Sequence, residues 1–357
     1  MIIDYSQYSK FNFCPWAWYE NYVNQRSKPR IGQRRDPLCL GSLVHNGLDN
    51  FAKTGKPTID EATVLENSPT PETYQLAILL VQGYLKRYPA EQWPVERAEQ
   101  PLRFPLWNPD YSVPKENVLE GLAKLDGYFY VPEDTTIESG LEGYTLTLTR
   151  GWWAKEYKTK AASRDRAEWI KEWQTKRQAD FQMLALQEYL RTAVTKEGDP
   201  LQQEMNINVQ GVLVCVLEKP HEYIPKRKCA GCKNSYELMA FIPKAEGFMC
   251  PVCGVVQKLN PYVPKVPKEP DYFRITVTRS AEQLEIAKRE ILHVAEEMEM
   301  MRSGGMSTAL PNRDACVNNV HHRECEYHAP HTYGGSTGDP GMGYVTIEAT
   351  KYMGVVV

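Results

Sequence analysis

The chain of 357 residues has no run of 18 apolar residues, and so no transmembrane helix is expected. Its opening, Met1-Ile2-Ile3-Asp4-Tyr5-Ser6, lacks the basic start and apolar stretch of a signal peptide. These two absences predict a cytoplasmic protein, in which thiols stay reduced. There is no phosphate-binding loop of the Gly-x-x-x-x-Gly-Lys-Ser/Thr kind, so any nucleotide-driven motor must be a partner chain. Internal repeats and long low-complexity tracts are absent as well. Charge of one sign is scarce: the formal net charge is −3, and nothing global marks a polyanion partner.

What is present is long enough for one large domain or two ordinary ones, with a sizeable core. Nine cysteines in a reduced chain point to metal ligands more than to disulfides. Residues 4–25 hold a dense aromatic run, Tyr8, Phe11, Phe13, Trp16, Trp18, Tyr19 and Tyr22, compatible with a buried helix or two helical turns. Apolar stripes predict helices over 40–53 and 72–88, the second turning Leu76, Leu79, Leu80, Tyr84 and Leu85 inward. The period then shortens to two, predicting strands at 100–106, 117–131, 143–149 and 151–158. A turn is expected around Pro132-Glu133-Asp134. One long helix is expected at about 166–192, then strands at 209–217 and 273–277. A charged helix over 280–302 starts at Ser280, a natural N-cap with Gln283 three residues on. This order implies an α/β fold with a mixed central β-sheet flanked by helices.

Two segments carry the chemistry. Leu119 to Phe129 places Asp126 on a strand ending at Gly127, and Trp153 to Lys160 places Glu156 and Lys158 two apart on another. A spacing of two puts both side chains on one face of a strand. Carboxylates hold hard cations such as Mg²⁺. Phosphodiester cleavage needs such a cation and a positive group near the attacking water. A Glu-x-Lys pair by itself is more often a solvated strand face. From Arg150 to Arg177 nine Lys/Arg stand against four acids, and the loop 26–35 holds Arg26, Lys28, Arg30, Arg34 and Arg35 with no acid. Such clusters track a phosphate backbone or form a solvated face. Trp152, Trp153, Trp169 and Trp173 can stack on unpaired bases, although aromatics fill cores more often.

Five elements in order resemble the PD-(D/E)XK nuclease superfamily and, within it, the RecB-like exonucleases. That branch includes the nuclease domains of AddAB helicase–nucleases and the CRISPR-associated RecB-like exonuclease. The elements are an aromatic opening with Cys14-Pro15, then Gly41-x-x-x-His45, then Gly121 to Asp126, then Glu156-Tyr157-Lys158-Thr159, then Gln182 on the next helix. The resemblance covers residues 4–192. It implies a catalytic set of Asp126, Glu156, Lys158 and Gln182. It also implies Mg²⁺ or Mn²⁺ held by His45, Asp126, Glu156 and the Tyr157 carbonyl. Gln182 would orient Lys158 or the water. The family often has Tyr four residues after this Gln; here Leu186 stands there, with Tyr189 as a substitute.

Cys229-x-x-Cys232 and Cys250-x-x-Cys253, separated by 17 residues, read as a tetrahedral Cys₄ zinc ribbon inserted between two strands. A redox pair or buried cysteines would not explain the duplication. Gly254 permits the tight turn of the second knuckle, and Cys215 reads as core. The RecB-like resemblance implies a further centre. In relatives carrying a [4Fe-4S] cluster, one Cys near the N-terminus joins three near the C-terminus. Here Cys14, Cys316 and Cys325 match, and His331 stands where the family has Cys, which leaves zinc open. Lost ligation, with ordinary buried cysteines, is the alternative.

The expected organisation is a nuclease domain over 1–224 and 266–331, a zinc ribbon over 225–265 and a tail over 332–357. The expected function is metal-dependent hydrolysis of DNA, at ends or in single strands, with a helicase or recombination partner and no membrane. The alternative is a non-catalytic nucleic-acid-binding or assembly protein. His45 and Gln182 argue against a restriction-type endonuclease, since they belong to the RecB-like branch.

Overall fold

The computed structural model describes residues 1–27, 36–67, 69–89, 100–106, 119–162, 164–192, 208–220, 226–233, 235–237, 242–244, 247–258, 269–304 and 345–346. The chain opens with β1 (Ile2–Asp4) and α1 (Tyr5–Phe13), joined where the Asp4 carboxylate accepts the Gln7 N–H at 2.7 Å. That bond satisfies one orphan donor of the helix start. Next come α2 (Pro15–Trp18), a π-helical turn (Tyr19–Val23) and β2 (Arg26–Ser27). The aromatic run therefore folds as successive helical turns that bury Phe11, Trp18 and Tyr19.

Helices α3 (Asp36–Thr54), α4 (Glu61–Asn67) and α5 (Pro71–Arg87) follow. Thr70 caps α5 by accepting the Thr73 N–H at 3.2 Å, and Pro71 takes the first position, where a missing N–H costs nothing. The buried face of α5 is Thr73, Ala77, Leu80, Val81 and Tyr84. Leu79, expected inside, is exposed. The chain then gives β3 (Gln100–Pro105), β4 (Glu120–Leu125), β5 (Gly127–Val131), β6 (Thr135–Glu138), β7 (Thr145–Leu148) and β8 (Gly151–Lys160). The strand expected over 117–131 is broken at Asp126, and its residues 117 and 118 lie outside the described residues. The helix expected over 166–192 is two, α6 (Arg166–Thr175) and α7 (Arg177–Thr192). Lys176 between them has ψ 123°, an extended value no helix continues through.

After β9 (Val209–Glu218) come five short strands of the insertion: β10 (Lys226–Lys228), β11 (Ser235–Glu237), β12 (Ile242–Lys244), β13 (Gly247–Met249) and β14 (Val256–Gln257). The chain returns with β15 (Asp271–Thr278), α8 (Ala281–Gly304) and β16 (Val345–Thr346), which pairs with β2. The start of α8 is the expected capping box. The Gln283 N–H donates to Ser280 Oγ at 3.1 Å, and the Ser280 N–H donates to Gln283 Oε1 at 2.8 Å.

The central sheet has the order β15-β9-β8-β5; β8 and β9 are parallel and the outer pairs antiparallel, so the sheet is mixed. A second sheet, β1-β4-β3, continues it through the β4–β5 connection. Both faces of the central sheet are covered. On one, Trp152, Ala154, Val212, Val214 and Val216 pack with Phe181, Met183 and Ala185 of α7 and with α8. On the other, Trp153, Tyr157, Leu213, Cys215 and Leu217 pack with Leu40, Leu43, Val44 and Leu48 of α3 and with α5. Burial on two faces explains why β9 reads as an unbroken apolar run. All four candidate stacking tryptophans, Trp152, Trp153, Trp169 and Trp173, are buried in this core.

One buried ion network closes the far end of β8. The Lys160 ammonium, fully enclosed, reaches Glu218 at 3.1 Å and the Arg164 carbonyl at 2.6 Å, and Glu218 also takes Arg166 at 2.8 Å. Removing one partner of a buried pair strands the other charge. Glu218→Ala is therefore expected to lower stability by about 3–5 kcal/mol, read as a lower midpoint in denaturant unfolding.

Candidate active site and a four-cysteine cluster

Asp126 stands between two ladders. The β3–β4 ladder ends at Gln100↔Leu125, and the β5–β8 ladder begins at Gly127↔Lys155. Beyond β5, the edge of β8 has lost its strand partner. Asp126 fills that gap: its Oδ2 accepts the Tyr157 N–H at 2.7 Å. In a strand the N–H and C=O of one residue point to the same edge, so the Tyr157 carbonyl faces the Asp126 side too. Asp126 Oδ1 lies 2.9 Å from His45 Nδ1. His45 is placed by the buried stripe of α3, which sets the ring at the rim of the core beside Tyr157, with centroids 6.5 Å apart. Nothing lies within 4 Å of a Cβ at Gly41, so packing gives no reason for glycine there.

Glu156 and Lys158 share the α7 face of β8 and form an ion pair. Glu156 is 2% exposed, a buried carboxylate and not a surface group. Two amides of α7 grip it from successive turns: Gln178 Nε2 donates to Oε1 at 2.8 Å and Gln182 Nε2 to Oε2 at 2.5 Å. Gln182 thus bonds Glu156 itself, where a contact to Lys158 or water was expected. Gln178 was missed. The available signal was its position four residues before Gln182, on the same face of a helix. Tyr189 packs against the Tyr128 ring at 5.8 Å, and Leu186 is core.

The electrostatics follow from burial. Burial, and then the Asp126 charge, raise the Glu156 carboxyl above its ordinary pKa, against Lys158 and His45. Burial also opposes charge on Asp126, yet His45, Lys158 and the Tyr157 N–H together bring its pKa below the ordinary value. Burial works against a charged His45, but the Asp126 carboxylate outweighs it and raises the imidazole pKa. Two acids and two bases thus compensate one another. The donor set, two carboxylates, a carbonyl and one imidazole, suits a hard divalent cation. The four side chains are nonetheless turned to one another: Asp126 to His45, and Glu156 to Lys158, Gln178 and Gln182.

The cysteine knuckles do converge. The Sγ atoms of Cys229, Cys232, Cys250 and Cys253 all lie within 4.8 Å of one another, a cluster that can hold a metal ion. Cys229 and Cys253 are 3.4 Å apart, Cys232 and Cys250 4.0 Å. Among the described residues no other group of His, Cys, Asp and Glu is drawn together so tightly. Gly254 has φ +72°, as its turn required, and Lys233 repeats that turn in the first knuckle with φ 62°. Gln257 ties the two knuckles, accepting the Ala230 N–H at 2.6 Å and donating to the Lys228 carbonyl at 3.1 Å. Cys14 is buried at the start of α2, and Cys215 is core. Cys316, Cys325 and His331 lie outside the described residues, as does most of the basic loop after Arg26.

A cavity of about 420 Å³ opens elsewhere, between α7, the end of β3 and the starts of β9 and α8, lined by Arg191, Lys288, Glu188 and Glu285 among others. None of the residues gathered around Asp126 lines it. No described helix is long and apolar enough to cross a membrane. No protein-family model matches the chain. No curated protein matches it either. Among solved structures, the chain is similar to a candidate exonuclease from Eubacterium rectale, with TM-score 0.46 and 11% identity over 91% of this chain and 89% of that one. So loose a likeness carries no functional weight; the geometry of the site carries it.

Proposed function

We propose that this chain is a metal-dependent nuclease of the RecB-like branch of the PD-(D/E)XK superfamily, acting on DNA ends or single strands. One observation carries the reading. A strand-edge aspartate, bonded to the Tyr157 N–H and to His45, stands beside a buried Glu156 and its ion-pair partner Lys158 on that same strand. Holding a buried carboxylate beside a partly buried one is costly, and such pairs with shifted pKa values gather at catalytic sites.

Asp126, Glu156, His45 and the Tyr157 carbonyl would hold Mg²⁺ or Mn²⁺. The ion, when bound, supplies Lewis acidity to the phosphodiester. Lys158 orients the attacking water and offsets charge developing on the phosphate. Water adds to phosphorus, the bond to the leaving oxygen breaks, and a phosphate monoester and a hydroxyl end result. Gln178 and Gln182 fix the Glu156 carboxylate, which keeps its oxygens in place through the reaction. The four thiols would hold a structural zinc ion, since four thiolates leave no open position. A helicase or recombination chain as partner, and a cluster at Cys14, Cys316, Cys325 and His331, belong to the same family reading.

The test is digestion of end-labelled linear and circular DNA, single- and double-stranded, with Mg²⁺ or Mn²⁺. Cleavage that a chelator abolishes is the expected result; intact DNA under every metal condition would refute the reading. A pH dependence follows. His45 must lose its proton to serve as a ligand, and Asp126 raises the pKa at which it does so. The metal concentration giving half-maximal cleavage is expected to fall as pH rises through that raised value.

A further inference from the structure

The break between α6 and α7 places a second cation beside the catalytic lysine. Lys176 sits at that break, its N–H donating to the Trp173 carbonyl at 3.3 Å and its own carbonyl accepting the Ala179 N–H at 3.2 Å. The Trp173 indole, 1% exposed, lies near two ammonium groups. Lys176 Nζ is 4.6 Å from the ring centroid and Lys158 Nζ 5.7 Å. Both are within the roughly 6 Å at which a ring face attracts a cation.

The two lysines differ in their partners. Lys158 is held by buried Glu156. Lys176 has Glu172 at 3.6 Å, a half-exposed carboxylate that Arg164 also grips. Lys176 thus shares a solvated acid with a second cation, a weak neutralisation. Its side chain is 22% exposed, open enough to meet a ligand from solution. Two residues on, Gln178 grips Glu156. One short stretch of chain therefore carries both a hold on the acidic site and a cation next to it.

We propose that Lys176 is a phosphate-binding residue of this site, gripping with Lys158 the backbone phosphate of a nucleic-acid strand. The proposal rests on the nuclease reading and deepens it. A phosphodiester offers two non-bridging oxygens, and a single lysine occupied by Glu156 can serve one of them. The buried indole offers no face to a base, so the contact is to the backbone and carries no sequence preference.

The test compares wild type, Lys176→Met and Lys176→Arg. Binding of a fluorescent single-stranded oligonucleotide is measured by anisotropy across a salt series with Ca²⁺, and cleavage by gel with Mn²⁺. Lys176→Met is expected to weaken binding about five- to tenfold on any sequence, and to reduce the slope of log affinity against log salt by about 0.7, the single-strand value for one lost phosphate contact. Lys176→Arg is expected to restore the slope, which a merely structural role would not predict. Unchanged affinity and slope in Lys176→Met, beside a wild type that binds and cleaves, overturn the role of Lys176 alone. A wild type that neither binds nor cleaves overturns the nuclease reading and this proposal together.

Discussion

Lys158→Met is expected to slow metal-dependent cleavage by on the order of 10²–10³-fold, with the fold intact. Lys158 carries the ammonium that, among the described residues, pairs with Glu156. In the proposed chemistry it faces the water and the developing phosphate charge, so its loss is felt in the transition state more than in substrate binding. The rate of the chemical step should therefore drop far more than the affinity for DNA in Ca²⁺, which loses only the phosphate contact Lys158 shares with Lys176. The fold should survive because Glu156 keeps both amide donors, Gln178 and Gln182. Burial and Asp126 already raise its pKa, so it can accept a proton in place of the lost cation. Glu156→Ala is a poorer test, because it removes the acceptor that Lys158, Gln178 and buried Gln182 share. Glu156→Gln is better. Gln182 Oε1 is buried with no hydrogen-bond partner, and a flipped amide can accept the new N–H. Single-turnover cleavage and circular dichroism together decide the matter. A well-folded Lys158→Met protein that cleaves at the wild-type rate would remove Lys158 from the reaction.

The placement of the two candidate segments was legible because strand periodicity survives burial. Glu156 and Lys158 do share a face, and Asp126 does sit where one strand gives way to the next. The sequence could not show that β4 and β5 lie in different sheets. A continuous strand-like run from Glu120 to Val131 hides a change of partner that only long-range pairing decides. The break at Lys176 was hidden for a similar reason. Lys176 has no helix-breaking chemistry, and its extended ψ is a tertiary outcome, with the Trp173 indole held in the core below it. The same break brings Lys176 beside Lys158, so missing the break meant missing that residue, whereas Gln178 lies within α7 at helical spacing from Gln182. The burial of Glu156 was hidden in another way. A charged residue reads as solvated, yet here the two glutamines and Lys158 supply in the interior the hydrogen bonds that water would have made. The Cys knuckles were the easiest to read, because their spacing is local and no long-range pairing intervenes.

Those knuckles carry the second large effect. Protein purified without chelators is expected to contain about one zinc ion per chain, held by Cys229, Cys232, Cys250 and Cys253. A tetrahedron with metal–sulfur bonds of about 2.3 Å has edges near 3.8 Å, and the 3.4 and 4.0 Å separations bracket that length. The turns are already formed, with Gly254 and Lys233 at positive φ. Gly231 is fitted to the cluster too: a Cβ there would stand 2.7 Å from Val255 and 3.0 Å from Cys253 Sγ. The thiols are unequal without metal. The Val255 N–H, and then the Cys229 thiol, bring Cys253 down to about 6, whereas burial pushes Cys229 up to about 11. At neutral pH at least one thiol must therefore release a proton on binding, and zinc should be stripped more easily as pH falls. Strands β10–β14 are two or three residues long and have little of their own to hold them. Structural zinc in such small units contributes an apparent 10–16 kcal/mol or so, roughly the whole of their folding energy. Cys250→Ser should thus abolish stoichiometric zinc and expose residues 226–257 to rapid proteolysis. The unfolding midpoint of the β8–β9 core should stay where it is. Metal analysis by mass spectrometry and limited proteolysis with mapped cut sites give the two readouts. Wild-type protein free of zinc and of every other thiophilic metal, yet resistant to proteolysis across 226–257, would show that the knuckles hold themselves together without an ion.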